Sequence, residues 1–532
     1  MAVTVDLDPI LLELGQFGRY QIRNYCFILL VILMSAVYNS QYIFAAGDVA
    51  YRCQVPECES SPPEFIAGSW GAWALPDAGA RCERLVPAAA ECAPSSFSNN
   101  ETKRCKSWVY EHHNTISSEF DLACQEWKRT LVGTIHVAGV FGALPVTAFI
   151  SDSYGRRTAL VITAVAPAVV GVIRAFSNSY LMYMCFEFLD AFVGAGVYST
   201  AFILALEMVG LDKRVLGGNL ISSTFALGQV VTAGVAWLVP YWRTYTLVIY
   251  APSVIFLTYY WLIEESVRWL LSKGRNKEAA RIIFKAAKIN GKKLSADTIK
   301  LLTEEPEQTK LPQTDDKPPI EEDKRSILMQ VLRSRKMMLR MLVCSFWWIT
   351  LTFVYYGLSI NSVSLVGSSY VNYILTSLVE IPGYCLSVLT LDRFGRKSST
   401  MTAFIICALS LVAMPFVPTS LPWLQTVLNL LGKLCISMAF SSIYIYTGEL
   451  FPTQARHSML GACSMAGRIG ALVAPQTPLL MEYMEALPYL VFGVMAGTAG
   501  LLMLLTPETL KARLPDTIEQ AENMDKKKIA AE

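Results

Sequence analysis

The chain has 532 residues, of which 53% are hydrophobic and only 17% charged, against roughly 25% charged residues in ordinary soluble domains. A mean hydropathy of +0.39 points the same way, and together these values exclude a single compact soluble core. The formal net charge of +2 excludes little, because charge here is segregated by position.

The first 24 residues carry Asp6, Asp8 and Glu13 ahead of any long apolar run. That pattern argues against a cleavable signal peptide. Apolar runs of about 20 residues, enough to cross a bilayer, then follow near 25–46, 130–150, 158–177, 180–206, 216–238 and 244–263. Six more lie near 337–359, 369–390, 399–418, 422–447, 457–482 and 487–506. Twelve spans put both termini on one side. The Lys- and Arg-bearing turns at 151–158, 210–215, 392–398 and 452–457 fall on that side too, which the positive-inside rule makes cytoplasmic. The expected organisation is an all-α membrane protein with a cytoplasmic N-terminus (1–24) and a first six-helix half (25–263). A cytoplasmic loop (264–336), a second six-helix half (337–506) and a cytoplasmic tail (507–532) complete it.

One long loop, 47–127, faces the other side. It holds six of the 13 cysteines, Cys53, Cys58, Cys82, Cys92, Cys105 and Cys124. An even count in an extracellular loop predicts three disulfides, with 15 possible pairings left open. The sequon Asn100-Glu101-Thr102 lies in the same loop and predicts glycosylation at Asn100. In the middle loop, Ala279, Ile282, Ile283, Ala286 and Ala287 are spaced as one face of an amphipathic helix over 272–290. Residues 303–324 are Pro- and acid-rich, the composition of a flexible connector.

Two motifs are written twice. DSYGRR (152–157) returns as DRFGRK (392–397), and ALEMVGLDKR (205–214) as TGELFPTQAR (447–456), each with a glutamate seven residues before an arginine. EES (264–266) is echoed by PET (507–509). The offsets of 240, 242 and 243 residues are nearly constant, as expected of two related halves, a layout of membrane transporters. Asp152, Arg156, Arg157 and Glu207 in one half, with Asp392, Arg396 and Glu449 in the other, are candidate gate residues; Arg214 and Arg456 complete the set. Charge-assisted bonds among them across the interface would shut the cytoplasmic side. Simple topological anchoring is the alternative.

The turns resemble those of the major facilitator superfamily. The long cysteine-bearing first loop, ESVRWLLSKGR (265–275), YYGLSIN (355–361), LVEIPGY (378–384), SSIYIYTGELFPTQAR (441–456) and PETLKARLPDTIEQ (507–520) are similar to the organic ion transporter family. That family includes organic cation, organic anion and carnitine transporters, and helix ten is most similar to carnitine-type members. The resemblance implies the major facilitator fold, two pseudo-symmetric six-helix halves, alternating access, no cofactor and no covalent chemistry. Three departures stand out: Ala148 replaces a glycine before the turn aspartate, Glu264 a proline, and Glu187 an arginine frequent in the family.

Charges at mid-membrane depth are costly and read as functional by default. Arg468, 11 residues into the run from 457, lies about 16 Å from its cytoplasmic end at 1.5 Å per residue. A guanidinium there favours a substrate carboxylate; an internal pair with Glu380 is the alternative reading. Glu187, Asp190 and Tyr198 share one face of helix four. The two acids would draw a cationic group or a coupling proton, or else pair with Arg174 or His136. The resemblance implies that Tyr198, Phe225, Trp348, Tyr355, Glu380, Ser441 and Arg468 line the cavity, and Tyr444 adds an aromatic face suited to cation–π contact. Lys433 reads as an interfacial, snorkelling lysine. His112, His113, His136 and His457 are too scattered for a metal site.

The expected protein is therefore a plasma-membrane transporter of small organic ions, with a carboxylate-bearing zwitterion or anion (carnitine-like or amino-acid-derived) favoured. A polyspecific organic cation transporter is the near alternative, and a non-transporting nutrient sensor the alternative of another class. Expected partners are the substrate and the lipid bilayer, with no nucleic acid, in a monomer or weak homo-oligomer. Coupling to sodium or to protons stays open.

Overall fold

A computed structural model describes residues 7–76, 81–89, 91–97, 101–210, 213–303, 331, 333–418, 420–510, 515 and 517–524. Among the described residues twelve helices organise it. The first half contains α1 (Arg19–Ala45), α2 (Glu126–Tyr154), α3 (Arg156–Arg174), α4 (Tyr180–Glu207), α5 (Arg214–Leu238) and α6 (Trp242–Leu262). The second contains α7 (Arg335–Ser364), α8 (Ser369–Phe394), α9 (Arg396–Phe416), α10 (Pro422–Leu450), α11 (Arg456–Val473, continued by the 3-10 segment Ala474–Glu482) and α12 (Leu487–Leu505). Eleven are long and apolar enough to cross a membrane. The remaining one, α11, is diluted by glycines, Arg456, His457 and Arg468.

The helices overrun the apolar runs at the end that bears the basic turns: α1 starts at Arg19 rather than 25, and α2 continues to Tyr154 rather than 150. A helix satisfies its own backbone, so it continues into the polar interface after hydrophobicity has ended. At each DxxGR turn the chain breaks at a glycine of positive φ, +100° at Gly155 and +99° at Gly395, where any other residue would be strained.

The 47–127 loop departs from a purely helical expectation. Strand β1 (Tyr51–Cys53) pairs antiparallel with β4 (Trp108–Tyr110), and β2 (Glu83–Leu85) with β3 (Thr102–Arg104). Cys53–Cys105, Cys58–Cys92 and Cys82–Cys124 close it, so all six predicted cysteines pair and the connectivity is fixed. Asn100 lies outside the described residues. This disulfide domain docks on the first half through Glu119, which accepts from Arg243 Nε at 2.9 Å and from the Trp242 indole.

On the opposite face a short helix, Leu7–Leu14, packs against the helix Asn276–Asn290, which buries the predicted Ala279, Ile282, Ile283, Ala286 and Ala287. Asn290 ties the two together, donating to Leu14 O at 2.9 Å and accepting from Tyr20 N at 2.8 Å. Most of the expected 303–324 connector lies outside the described residues.

Candidate substrate cavity and gates

The repeated motifs build the same device twice. Arg156 bonds Asp152 Oδ1 at 2.7 Å and lies 3.5 Å from Glu207; Arg396 bonds Asp392 Oδ1 at 3.1 Å and lies 3.4 Å from Glu449. The third repeat joins them. The Glu265 carboxylate accepts from the backbone N–H groups of Arg156 and Arg157 at 2.9 and 3.1 Å, and Glu508 from those of Arg396 and Lys397 at 2.8 and 3.1 Å. Each carboxylate thus supplies the cap that the open amides of α3 or α9 require, at the end where the helix dipole favours negative charge.

These contacts correct one expectation. Arg156 reaches Glu207, and Arg396 reaches Glu449, within one half, so in this conformation the clusters fasten α2–α3–α4 and α8–α9–α10 rather than bridging the interface. Arg157 lies over the Tyr260 ring at 4.5 Å. Arg214 pairs with Asp8 at 3.7 Å, and Arg456 donates to Thr453 Oγ1 at 3.2 Å.

The halves instead meet towards the disulfide domain. Gln476 accepts from Thr130 at 3.0 Å and donates to Thr134 at 2.6 Å. A side chain at Gly133 would lie 2.7 Å from both Pro475 and Tyr42, which shows how closely α2 approaches α11. Phe44 packs on Tyr370 and Tyr373 at 5.5 and 5.2 Å. At mid-depth Gln229 reaches Tyr355 at 3.4 Å and Ser377 at 3.2 Å. Beyond this seal lies a vestibule of about 540 Å³ under the disulfide domain, lined from both halves by residues including Tyr245, Tyr370 and Pro478.

On the other side of the seal aromatic side chains of both halves come together and mark the candidate cavity. Tyr198 of α4 packs edge-on against Phe225 of α5 at 5.4 Å and is within electrostatic reach of Tyr356 and Tyr444 across the interface. Tyr444 stands edge-on to the buried Trp348 at 4.4 Å, whose indole donates to Thr447 at 3.2 Å. Tyr444 is nevertheless 44% exposed. Arg468 and Ser441 are half-buried, and Tyr356 and Tyr444 both feel the Arg468 charge. Among the described residues no carboxylate lies within ion-pair distance of Arg468, and Glu380 is committed elsewhere.

That commitment overturns the reading of Lys433 as interfacial. Lys433 is 0% exposed, deep in α10. Its Nζ lies 3.0 Å from Glu380 Oε1, 2.7 Å from Ser359 Oγ and 3.0 Å from Tyr355 O. It also sits 3.4 Å from the centroid of the Tyr355 ring. Glu380, likewise fully buried, accepts from Tyr355 at 2.6 Å and Tyr384 at 3.1 Å. The Glu380–Lys433 pair is neutral as a unit and sits behind Tyr355 rather than on the cavity wall.

Glu187 and Asp190 lie in a second buried cluster inside the first half. Arg174 donates to both, to Asp190 at 2.9 Å. His136 Nδ1 is 2.8 Å from Glu187, and Gln41 donates to the same carboxylate at 2.9 and 3.1 Å. Of the two readings of these acids, the structure has the pairing with Arg174 and His136.

Residues 94–520 match the family model described as "sugar (and other) transporter". Over 531 residues the chain is 35% identical to the "organic cation transporter protein" of Drosophila melanogaster, covering 98% of this chain and 95% of that one. It is 30% identical to "solute carrier family 22 member 3" of Mus musculus, with 97% and 96% covered, and 30% identical to "organic anion transporter 3" of Homo sapiens, with 97% and 93% covered. The chain belongs to the organic ion transporter family of the major facilitator superfamily. The inward-open xylose transporter XylE from E. coli shares the fold, with TM-score 0.60 and 16% identity over 94% of this chain and 99% of that one.

For this member of the organic ion transporter family, sequence reasoning missed the lysine. The signal was present: Lys433 stands 11 residues into α10, which starts at Pro422, or about 16 Å from its start. That depth is beyond snorkelling reach and demands an internal partner. Phe440, whose ring packs on Tyr355 at 5.3 Å and Tyr444 at 5.9 Å, was also missed, because spacing does not separate cavity-facing rings from packing rings. Among the described residues no group of three or more His, Cys, Asp or Glu could hold a metal ion.

Proposed function

We propose that the protein is an alternating-access transporter of small organic ions at the plasma membrane, with the face bearing the termini cytoplasmic and a carboxylate-bearing zwitterion or anion as substrate. The observation that carries this reading is Arg468: a half-buried guanidinium among aromatics, with no carboxylate within ion-pair distance among the described residues, whereas Arg174 and Lys433 each have a carboxylate partner. A substrate carboxylate supplies the missing partner, in bidentate geometry. Tyr198, Phe225 and Tyr444 then offer faces to an amine or apolar remainder. Rocking of the halves would open the α2–α11 seal and bring the two basic-turn clusters together, closing the cytoplasmic side.

Uptake of a matched cation, anion and zwitterion, with and without sodium, tests the reading. Arg468→Ala is expected to reduce carboxylate uptake by about 10- to 100-fold, the value of a charge-assisted bond of about 1.5–3 kcal/mol, and to change uptake of a permanently cationic amine by less than about threefold. Equal loss of both would make Arg468 structural. The aromatic walls also favour a second reading, an organic cation transporter, which would appear as cation uptake insensitive to Arg468→Ala. Binding without flux in oriented vesicles would establish a sensor instead.

A further inference from the structure

The buried cluster of the first half has an unbalanced charge. Arg174, Glu187 and Asp190 are 0%, 0% and 2% exposed, and His136 3%. One guanidinium faces two carboxylates, so with neutral histidine the cluster keeps one uncompensated negative charge in the membrane interior. Such a charge is expensive. Gln41, Tyr38 and Tyr42 face the cluster from α1, His136 from α2, Arg174 from α3, Tyr183 from α4, and Tyr245 and Tyr250 from α6. None of these adds a second fixed cation.

The hydrogen bonds leave two open positions for a compensating proton. Glu187 accepts from Arg174, Gln41 and His136, so its oxygens are filled. A carboxylate only accepts, so His136 carries its hydrogen on Nδ1 in order to donate. That leaves the Nε2 lone pair, which is buried and has no partner, as does Asp190 Oδ1. A metal cation would need several free oxygens; among the described residues of the cluster only Asp190 Oδ1 and the neutral Gln41 Oε1 are open.

The repeat shows that the fold does not require this arrangement. The offsets of 240 and 242 residues carry His136 to Thr376 and Glu187 to Asn429. Those two residues meet in the same way in the second half, Asn429 Nδ2 donating to Thr376 Oγ1 at 3.4 Å, with no charge at all. Asp190 carries to Gly432 and Arg174 to Met414. The cluster also adjoins the seal: the Tyr42 ring is 5.2 Å from His136 and packs beside Gly133, one turn away on α2.

We infer that the His136–Glu187–Arg174–Asp190 cluster is a proton-binding site that takes one proton at His136 Nε2, forming an imidazolium and neutralising the cluster. Such a proton is a candidate for the coupling ion that the sequence leaves open, and its binding stands whichever substrate the protein accepts. The test uses full-length protein in nanodiscs, labelled with ¹³C at histidine Cε1. Four histidines are present, and the His136 signal is identified by its loss in His136→Gln. The expected result is a single transition of that signal within about pH 5 to 8.5, the range in which histidine charge changes. Asp190→Asn, which neutralises the cluster in advance, is expected to move the transition down by about a unit or more. A His136 signal that stays neutral, or stays protonated, throughout overturns the proposal. So does a signal that moves with sodium concentration at constant pH, which would indicate a cation site. If Asp190→Asn leaves the transition in place, the charge argument fails even though the histidine titrates.

Discussion

At equivalent depth in the two halves, α2 meets α4 through His136 and Glu187, whereas α8 meets α10 through Thr376 and Asn429. The contact is the same and the chemistry is not. At the basic turns the halves instead match almost bond for bond, Arg156 with Asp152, Glu207 and Glu265 against Arg396 with Asp392, Glu449 and Glu508. The two halves share the bonds that fasten each basic turn to its own helices. The buried charges differ: an unbalanced cluster with one histidine in the first half, and a balanced Glu380–Lys433 pair in the second.

Substitutions at the unmatched sites should have the largest effects. Arg174→Met strands two buried carboxylates, and losing one partner of a buried pair already costs about 3–5 kcal/mol. Loss of monodisperse protein in size-exclusion chromatography is expected, and a variant that folds with an unchanged unfolding midpoint would mean the acids are not both charged. Lys433→Met strands Glu380 alone, at about 3–5 kcal/mol. Thermal unfolding should show the loss, with the double variant Lys433→Met/Glu380→Gln recovering most of it. Failure to recover would show that Lys433 does more than balance Glu380.

The matched sites should respond equally. Gly155→Ala and Gly395→Ala each impose strain of about 1–3 kcal/mol and push Cβ into Glu265 or Glu508. Equal falls in unfolding midpoint are expected; a clear inequality would show that the two turns are not functionally equivalent. The smallest effect lies in the disulfide domain, which has no counterpart. Burial raises the Glu119 carboxyl, but the bonds from Arg243 and Trp242 outweigh it and hold it below the usual carboxylate range. A depressed carboxyl stabilises above its ordinary pKa and loses that contribution as pH falls through the lowered value. Docking of the domain should therefore weaken below about pH 4, and Glu119→Gln should flatten that acid limb in a pH series of thermal unfolding.

Much of the molecule was legible from local pattern. Twelve runs long enough to cross a bilayer gave the helices, and the amphipathic spacing around Ile282 and Ile283 gave the buried face of the middle-loop helix. The six loop cysteines were legible as a set but not as pairs, because pairing depends on which loop segments fold together. The short strands escaped notice because three-residue ladders leave no periodicity. In the cavity, Arg468 was legible from its depth alone. Its freedom from Glu380 was not, since both acid and base lie at similar depth on different helices and nothing in the order of residues says which neighbour Glu380 selects.

The sequence by itself determined the membrane class, the two-half architecture, the matching of the two basic-turn motifs and the family, because hydrophobic length, repeated motifs and turn chemistry are properties of short segments. Only the tertiary structure decided how the charges are partnered. Helix rotation and packing set distances of about 3 Å between residues as far apart as Gln41 and Glu187, or Glu380 and Lys433. In a low-dielectric interior those distances separate a paired charge from one without a partner.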